Sequence, residues 1–185
     1  MKIEHFDRYL EMKERTSKNT EHKSNTPKDI KDLWQTPKNL FNTLNEEFQF
    51  VLDVAASHEN HLCDAYLTEE DNALASNHDW LSTNYLNPPY SKILPWVIKA
   101  IEQHKKGNTI VMLVPSDTSV KWFKLAFESC SEVRFISGRI SFINAETKKP
   151  VNGNNKGSVL FIWRAYAPKQ SHCVTLIDRD SLIVR

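Results

Sequence analysis

The chain is short of glycine, cysteine and net charge, and each shortage excludes a class of protein. Only four glycines occur among 185 residues, which leaves little material for a glycine-rich nucleotide loop. The cysteines (Cys63, Cys130 and Cys173) are widely spaced and odd in number, which argues against a disulfide framework. A net charge of +1 provides no global field for nucleic acid, so phosphate contacts require local clusters of cations.

Long hydrophobic runs and metal-ligand pairs are also missing. The longest apolar runs are short, such as residues 110–115, so no transmembrane helix is predicted. The highly charged first residues lack the apolar region of a signal peptide. His58, His61 and Cys63 are close together, but no second ligand pair follows at zinc-like spacing. We therefore expect a soluble cytoplasmic protein without a metal ion or a membrane partner.

Length and composition predict one domain with short appendages. With 185 residues, 40% of them hydrophobic, the chain is large enough for one buried core. Residues 1–32 are rich in charged and small polar residues, which predicts a flexible tail. The domain is expected to span residues 33–165. Residues 166–185 then form an extension whose apolar runs, 174–177 and 182–184, predict either an edge strand or a contact with a partner.

Helical and strand-like patterns alternate along the domain. Three helices are predicted, each with a Ser or Thr as N-cap: Thr36 followed by Pro37, Ser91, and Ser119. Apolar runs that predict strands lie at residues 50–55, 62–67, 109–114, 132–142 and 159–163. This alternation predicts an α/β fold with a mostly parallel central sheet flanked by helices.

The tetrapeptide Asn87-Pro88-Pro89-Tyr90, between an apolar run and a helix start, is the most informative feature. It suits the reaction of a planar amine, which is a poor nucleophile because its lone pair is delocalised. The Asn87 side-chain oxygen and the Pro88 carbonyl can each accept one N–H, which favours a localised lone pair. The prolines stiffen the loop, and Tyr90 offers a flat face for stacking. The structural alternative is a proline-rich turn after a strand.

Together with its flanking phrases, this tetrapeptide resembles the phage-type DNA N6-adenine methyltransferases. The resemblance covers residues 33–164 and rests on WQTP (34–37), LDVAAS (52–57), DNAL (71–74), DW (79–80), LNPPYS (86–91), VMLVP (111–115), GRISF (138–142) and SVLFIW (158–163). It implies a single Rossmann-like class I methyltransferase domain that uses S-adenosylmethionine and acts on double-stranded DNA. The implied reaction is methylation of the exocyclic amine of an adenine flipped out of the duplex.

The resemblance also assigns site residues. Asn87, Pro88, Pro89 and Tyr90 become the catalytic loop at the end of a strand. Two segments are assigned to the methionine part of the cofactor: Asp53, Ala55 and Ala56 approach it, and Gln35, Thr36 and Pro37 close over its carboxylate. The first segment has alanine and serine where related loops have glycine, so it has to avoid positive φ.

Acidic residues are the candidates for the rest of the cofactor. In related folds one acid binds the ribose hydroxyls and another contacts the adenine. By resemblance we assign Asp71 and Asp79 to these roles, with Trp80 beside the adenine ring and Asp64 as a rival for the ribose. A solvated acid or a helix cap would give the same pattern.

Recognition of DNA is assigned to loops, because only 34 positions separate Asp53 from Asn87, too few for an inserted domain. The candidates are Ser91, directly after the NPPY tetrapeptide, and the cations of residues 139–157, which are Arg139, Lys148, Lys149 and Lys156. A solvated polar hairpin is the alternative.

Three other functions fit parts of the pattern. A carboxamide nitrogen is as poor a nucleophile as adenine's, so glutamine methylation in a protein is one rival, and an amino methyltransferase for cytosine or RNA is another. A nucleic-acid-binding module that kept the fold without activity is a third, but it predicts a damaged catalytic loop. The resemblance further implies that the protein is encoded by a phage or prophage, is expressed in a bacterial cell and takes part in restriction–modification. The recognised DNA sequence and the oligomeric state stay open.

Overall fold

A computed structural model of the protein describes residues 32, 34–151, 156–167 and 172–183. The predicted tail, apart from residue 32, lies outside the described residues. Nine strands are described: β1 (Trp34–Gln35), β2 (Leu52–Asp53), β3 (Ala65–Tyr66), β4 (Thr83–Leu86), β5 (Thr109–Pro115), β6 (Glu132–Ser137), β7 (Ile143–Asn144), β8 (Ser158–Trp163) and β9 (Cys173–Asp178). The helices are α1 (Lys38–Phe48), α2 (Ile93–Lys105), α3 (Lys121–Ser129) and α4 (Arg179–Leu182).

Seven strands form one sheet in the order β3-β2-β4-β5-β8-β6-β9. All neighbouring pairs are parallel except the two that involve β8, so β8 alone runs against the other strands. This arrangement confirms the predicted mostly parallel sheet. The remaining strands, β1 and β7, form a separate antiparallel ribbon.

Helices cover both faces of the sheet, and the central strand β5 shows why. Alternate β5 side chains enter different cores, with Ile110, Met112 and Val114 on one face and Val111 and Leu113 on the other. A strand that is buried on both faces is apolar throughout, as the sequence predicted. The first core packs against α2 and α3, and the second packs against α1 and α4. The predicted apolar face of α1 is buried: Leu40, Phe41, Leu44 and Phe48.

The three predicted N-caps are wrong. Helices α1, α2 and α3 begin after Pro37, Lys92 and Val120, and none of these starts has a side-chain cap hydrogen bond. The predicted capping hydroxyls bond elsewhere, as the partners of Thr36, Ser91 and Ser119 show: Tyr85, Asp32 and Asp117 respectively. A hydroxyl satisfied by another side chain does not need to cap a helix.

The C-terminal extension adds an edge strand, which was one of its two predicted forms. β9 pairs in parallel with β6, with Val133 opposite Val174 and Phe135 opposite Leu176. α4 follows directly and buries Leu182 in the second core.

Within the described ranges, no helix has both the length and the apolar character to cross a membrane. The same residues contain no group of three or more His, Cys, Asp or Glu side chains that could hold a metal ion. His58 and His61 instead contact Tyr66. The His58 Nδ1 lies 3.0 Å from the Tyr66 hydroxyl, and the His61 ring stacks on the Tyr66 ring with centroids 4.2 Å apart.

Candidate active site

The predicted site residues follow the carboxyl ends of neighbouring parallel strands. β2 ends at Asp53, β4 ends at Leu86 directly before the NPPY loop, and β5 ends at Pro115. Because parallel strands end at the same edge of a sheet, the loops after them meet there. The register supports this, since Asp53 lies opposite Tyr85 on β4. The carboxyl edge of the sheet is therefore the candidate active site.

The β1–β7 ribbon lies against the NPPY loop. Trp34 pairs with Asn144 across the ribbon. The Trp34 ring stacks on Phe142 with centroids 5.8 Å apart and planes 14° apart. Tyr90 meets both rings edge to face, at 6.2 Å from Trp34 and 6.1 Å from Phe142. The three rings hold the end of the NPPY loop to the ribbon.

The side chain of Asn87 has a fixed orientation. Its Nδ2 donates to the backbone carbonyl of Trp34 at 3.2 Å. A carbonyl only accepts hydrogen bonds, so the NH₂ end of the carboxamide has to face it. The other end, Oδ1, is buried and has no hydrogen-bond partner. A buried acceptor without a donor is uncommon and calls for an explanation.

Two further buried polar atoms near Asn87 have no hydrogen-bond partner. Trp34 Nε1 and Tyr90 Oη are both buried without a hydrogen-bond partner. The Tyr90 ring is only partly buried, but its hydroxyl is shielded, and this burial raises the pKa of Tyr90 above its ordinary value. In the described ranges only two other buried side-chain atoms are unpaired, on His104 and His172. Unpaired polar groups thus concentrate at the carboxyl edge.

Asp53 supplies a buried carboxyl group to the same edge. Its side chain is 4% exposed, and burial raises its pKa to about 6. Hydrogen bonds from the backbone of Leu62 and Ala55, and the charge of His61, lower the pKa but do not offset burial. The Leu62 N–H lies 3.1 Å from Oδ2. A cationic ligand group beside this carboxyl would stabilise its ionised form.

The loop after β2 reaches this edge without glycine. Ala55 and Ala56 are partly exposed, and neither has a positive φ, as the sequence requires. The Ala56 N–H donates to the carbonyl of Leu67 at 2.9 Å, which ties this loop to the segment after β3.

The WQTP segment forms β1 of the ribbon and leads into α1. Gln35 is in β1, and Pro37 accepts the first helical hydrogen bond of α1, from Phe41. The Thr36 hydroxyl lies 2.7 Å from the buried Tyr85 hydroxyl, so it is committed to the core. Pro37 gives α1 no capping side chain, but the Leu40 N–H donates to Asn39 Oδ1 at 3.0 Å, so the N–H groups of Lys38 and Asn39 are the ones at this N-terminus that suit an anionic group.

The two candidate acids for the ribose, Asp71 and Asp64, lie at opposite ends of strand β3. Asp71 is in the turn after β3, where its carboxylate accepts the N–H and the hydroxyl of Thr68, each at 2.8 Å. These bonds lower the pKa of Asp71. Asp64 comes directly before β3, at its amino end. The placement of Asp71 is therefore the better match to a carboxyl-edge role.

Asp79 and Trp80 are not brought to this site. Asp79 pairs with Lys106, just past the end of α2, which lowers the pKa of Asp79. Trp80 is 4% exposed, and its Nε1 donates to the carbonyl of Ala73 at 3.0 Å. Both precede β4, whereas Asn87 follows it, so they lie at the opposite edge of the sheet. Their predicted contact with a cofactor adenine finds no support in this placement.

The predicted DNA-contacting cations lie near the carboxyl edge. Lys156 pairs with Asp117, two residues after β5, and Lys148 lies 3.8 Å from Glu59 in the loop after β2. The Arg139 guanidinium approaches Gly157. Lys149 is exposed. The Lys148–Glu59 pair is exposed and therefore weak, so a phosphate can compete with it, whereas the Asp117 side chain that pairs with Lys156 is only 17% exposed.

Sequence reasoning gave no role to Trp34, although it opens the WQTP phrase. Its carbonyl holds Asn87, 53 positions away, and its ring packs on Phe142. β1 has only two residues and pairs with β7, more than a hundred positions later, so no local sequence pattern predicts it. The available signal was one aromatic residue in each phrase, Trp34 in WQTP and Phe142 in GRISF.

Comparison with known proteins identifies the family of the chain. The family model described as DNA N-6-adenine-methyltransferase (Dam) matches residues 23–184. The chain is 41% identical over 160 residues to the DNA N-6-adenine-methyltransferase of Escherichia phage T1, across 76% of this chain and 66% of that protein. It is 40% identical over 151 residues to the enzyme of the same name from Haemophilus phage HP1, across 79% of this chain and 86% of that protein. The chain thus spans just under two thirds of the phage T1 relative. No solved structure matches.

Proposed function

The chain belongs to the DNA N-6-adenine-methyltransferase family, and we propose that it methylates the exocyclic amine of an adenine flipped out of double-stranded DNA. In this proposal the α/β domain is a Rossmann-like class I methyltransferase domain, and the methyl donor is S-adenosylmethionine. Adenine has to leave the duplex because its amine is paired and enclosed there.

One observation carries the proposal: Asn87 Oδ1 is a buried acceptor without a donor, and it is aimed by the bond from Nδ2 to Trp34. An adenine amine supplies the missing donor. Accepting this N–H favours a localised lone pair on the nitrogen, and the Pro88 carbonyl is assigned the second N–H. Asn87 is uncharged and acts as an acceptor, not as a base.

The donor has groups that match this edge. When bound, S-adenosylmethionine supplies a methyl group on a positively charged sulfur. The Asp53 carboxyl is buried and forms no ion pair with a Lys or Arg of the described residues, so it suits the amino group of the methionine part. The N-terminus of α1, with Gln35, Thr36 and Pro37 before it, suits the carboxylate. Ala55 and Ala56 allow close approach, and Asp71 is assigned to the ribose.

Atoms and charge balance without a metal ion or a covalent enzyme intermediate. The adenine nitrogen forms the new bond to carbon with its own lone pair, and the carbon–sulfur bond breaks with its electrons left on sulfur. The methylated ammonium group is acidic and loses its proton to water. The protein contributes mainly by positioning the amine and excluding water.

Tyr90 and the surrounding cations are assigned to DNA. Tyr90 holds the flipped base by stacking. Arg139, Lys148, Lys149 and Lys156 contact phosphates and base edges, and Ser91 contacts the strand next to the flipped base. The oligomeric state of the working enzyme is left open.

The test is to incubate the protein with tritiated S-adenosylmethionine and separate DNA, RNA and protein acceptors. We expect label in duplex DNA, recovered as N6-methyladenine after hydrolysis to nucleosides. The Asn87→Ala variant is the matched control and should label the DNA more slowly by about a hundredfold or more. The proposal would be rejected if the label appeared only in protein glutamine, only in cytosine or only in RNA.

A further inference from the structure

A hydrogen-bond donor and an acceptor lie unpaired on two residues that contact each other. Asn87 Oδ1 is an acceptor, and Trp34 Nε1 is a donor that cannot accept. The two residues are joined by the bond from Asn87 Nδ2 to the Trp34 carbonyl. The proposed function uses only the acceptor.

The Trp34 donor is rigidly held. Its ring stacks on Phe142, which is 1% exposed, and meets Tyr90 edge to face. Its backbone pairs with Asn144 across the ribbon. A group held from both its backbone and its ring has few alternative positions in which to find a partner. Its N–H thus stays unpaired until a ligand supplies an acceptor.

The amino bases present the complementary pattern. In adenine the amine is flanked by two ring nitrogens, N1 and N7, and both accept hydrogen bonds. Guanine and thymine lack this pattern, because an oxygen acceptor takes the place of the amine; guanine N1 and thymine N3 also carry a hydrogen, while guanine N7 stays an acceptor. An acceptor beside a donor therefore selects an amine beside a bare ring nitrogen.

We propose that Trp34 is a specificity-determining residue whose indole N–H donates to a ring nitrogen next to the reactive amine. This inference rests on the proposed function and deepens it. Asn87 Oδ1 takes the amine, Trp34 Nε1 takes N1 or N7, and the Tyr90 ring stacks on the base. A base without the ring nitrogen leaves the Trp34 donor buried and unpaired, and the site then rejects it.

The test compares the wild type with Trp34→Phe, which keeps an aromatic ring against Phe142 and removes the N–H. The substrates are duplexes whose target is adenine, 1-deazaadenine or 7-deazaadenine, and kcat/KM is measured for each. The wild type should lose about ten- to a hundredfold on one analogue, and that analogue identifies the nitrogen. Trp34→Phe should treat this analogue and adenine alike, with unchanged affinity for S-adenosylmethionine.

Phe142→Leu is the matched control, because it loosens the stack but keeps the indole N–H. It should retain part of the wild-type discrimination between adenine and the analogue, whereas Trp34→Phe should lose all of it. Equal discrimination by the wild type and Trp34→Phe overturns the inference, as does a wild type that ignores both analogues.

A second measurement separates this inference from the proposed function. Equilibrium binding of the same duplexes, in the presence of S-adenosylhomocysteine, reports base recognition without chemistry. If no DNA is methylated, the proposed function fails, and the binding ratios still decide the role of Trp34.

Discussion

Asn87 donates its side-chain amide to the backbone carbonyl of Trp34, 53 positions earlier in the chain, and is thereby held with Oδ1 buried and unpaired. The bond joins the NPPY loop to the β1–β7 ribbon. The orientation of the carboxamide thus depends on a tertiary contact, whereas the identity of the residue can be recognised from the local NPPY motif.

Replacing Asn87 with alanine should strongly reduce turnover while leaving the donor bound. Loss of a positioned acceptor is expected to reduce kcat by about a hundredfold or more, by analogy with the removal of oxyanion-hole donors. Titration calorimetry with S-adenosylmethionine should give an affinity close to that of the wild type. Near-normal turnover would contradict the role assigned to Asn87.

Asp53 predicts a pH dependence of folding stability with a definite sign. Its pKa is about 6 in the folded protein and 3.8 in its ordinary state. The stability that its protonated form contributes is full below pH 3.8 and is lost as the pH rises through about 6. Above that pH the buried charge costs roughly 3 kcal/mol.

Asp53→Asn should therefore gain stability relative to the wild type as the pH rises from 4 to 7, measured by chemical denaturation. Binding of the donor should change in the opposite direction. Wild-type affinity for S-adenosylmethionine should increase as the pH rises through about 6 and Asp53 ionises. The variant should bind weakly and without that pH dependence. A parallel pH profile for the two proteins would remove Asp53 from the cofactor site.

Tyr90 is predicted to act through its ring and not through its hydroxyl. Its hydroxyl has no partner, so Tyr90→Phe should change kcat/KM by about threefold or less and should not lower stability. Tyr90→Ala removes a ring that packs against Trp34 and Phe142, and should weaken retention of the flipped base. The fluorescence of 2-aminopurine at the target position measures that retention. Similar defects in both variants would show that the ring is not the important group.

Local pattern predicted most of the sheet and the helices because burial imposes it. A strand covered on both faces has to be apolar, as β5 is, and a helix on the sheet has to be amphipathic, as α1 is. The candidate catalytic loop could be proposed from the sequence because the chemistry assigned to it needs only four adjacent residues, Asn87 to Tyr90. Both kinds of signal are local in sequence.

What sequence reasoning missed depends on distant partners. Thr36 has the composition of an N-cap, but Tyr85, 49 positions away, takes its hydroxyl. Asp79 and Trp80 resemble a cofactor motif, but only three residues separate Asp79 from the start of β4. Asp79 pairs with Lys106 and the Trp80 N–H donates to Gln103 Oε1, which holds both residues beside the end of α2. Topology, not residue type, decides such cases.

Replacing Lys148 and Lys149 together with alanine should weaken DNA binding and flatten its salt dependence. Each phosphate that is no longer neutralised by a lysine reduces the slope of log K against log salt by about 0.9, so the pair should reduce it by about 1.8. The matched control is a double substitution of Lys105 and Lys106, at the end of α2 on the opposite edge of the sheet. It removes the same charge, so a general electrostatic effect would change both variants equally. An unchanged slope in the Lys148 and Lys149 variant would exclude the hairpin from the DNA interface, whereas a reduced slope in that variant alone would place the DNA across the carboxyl edge.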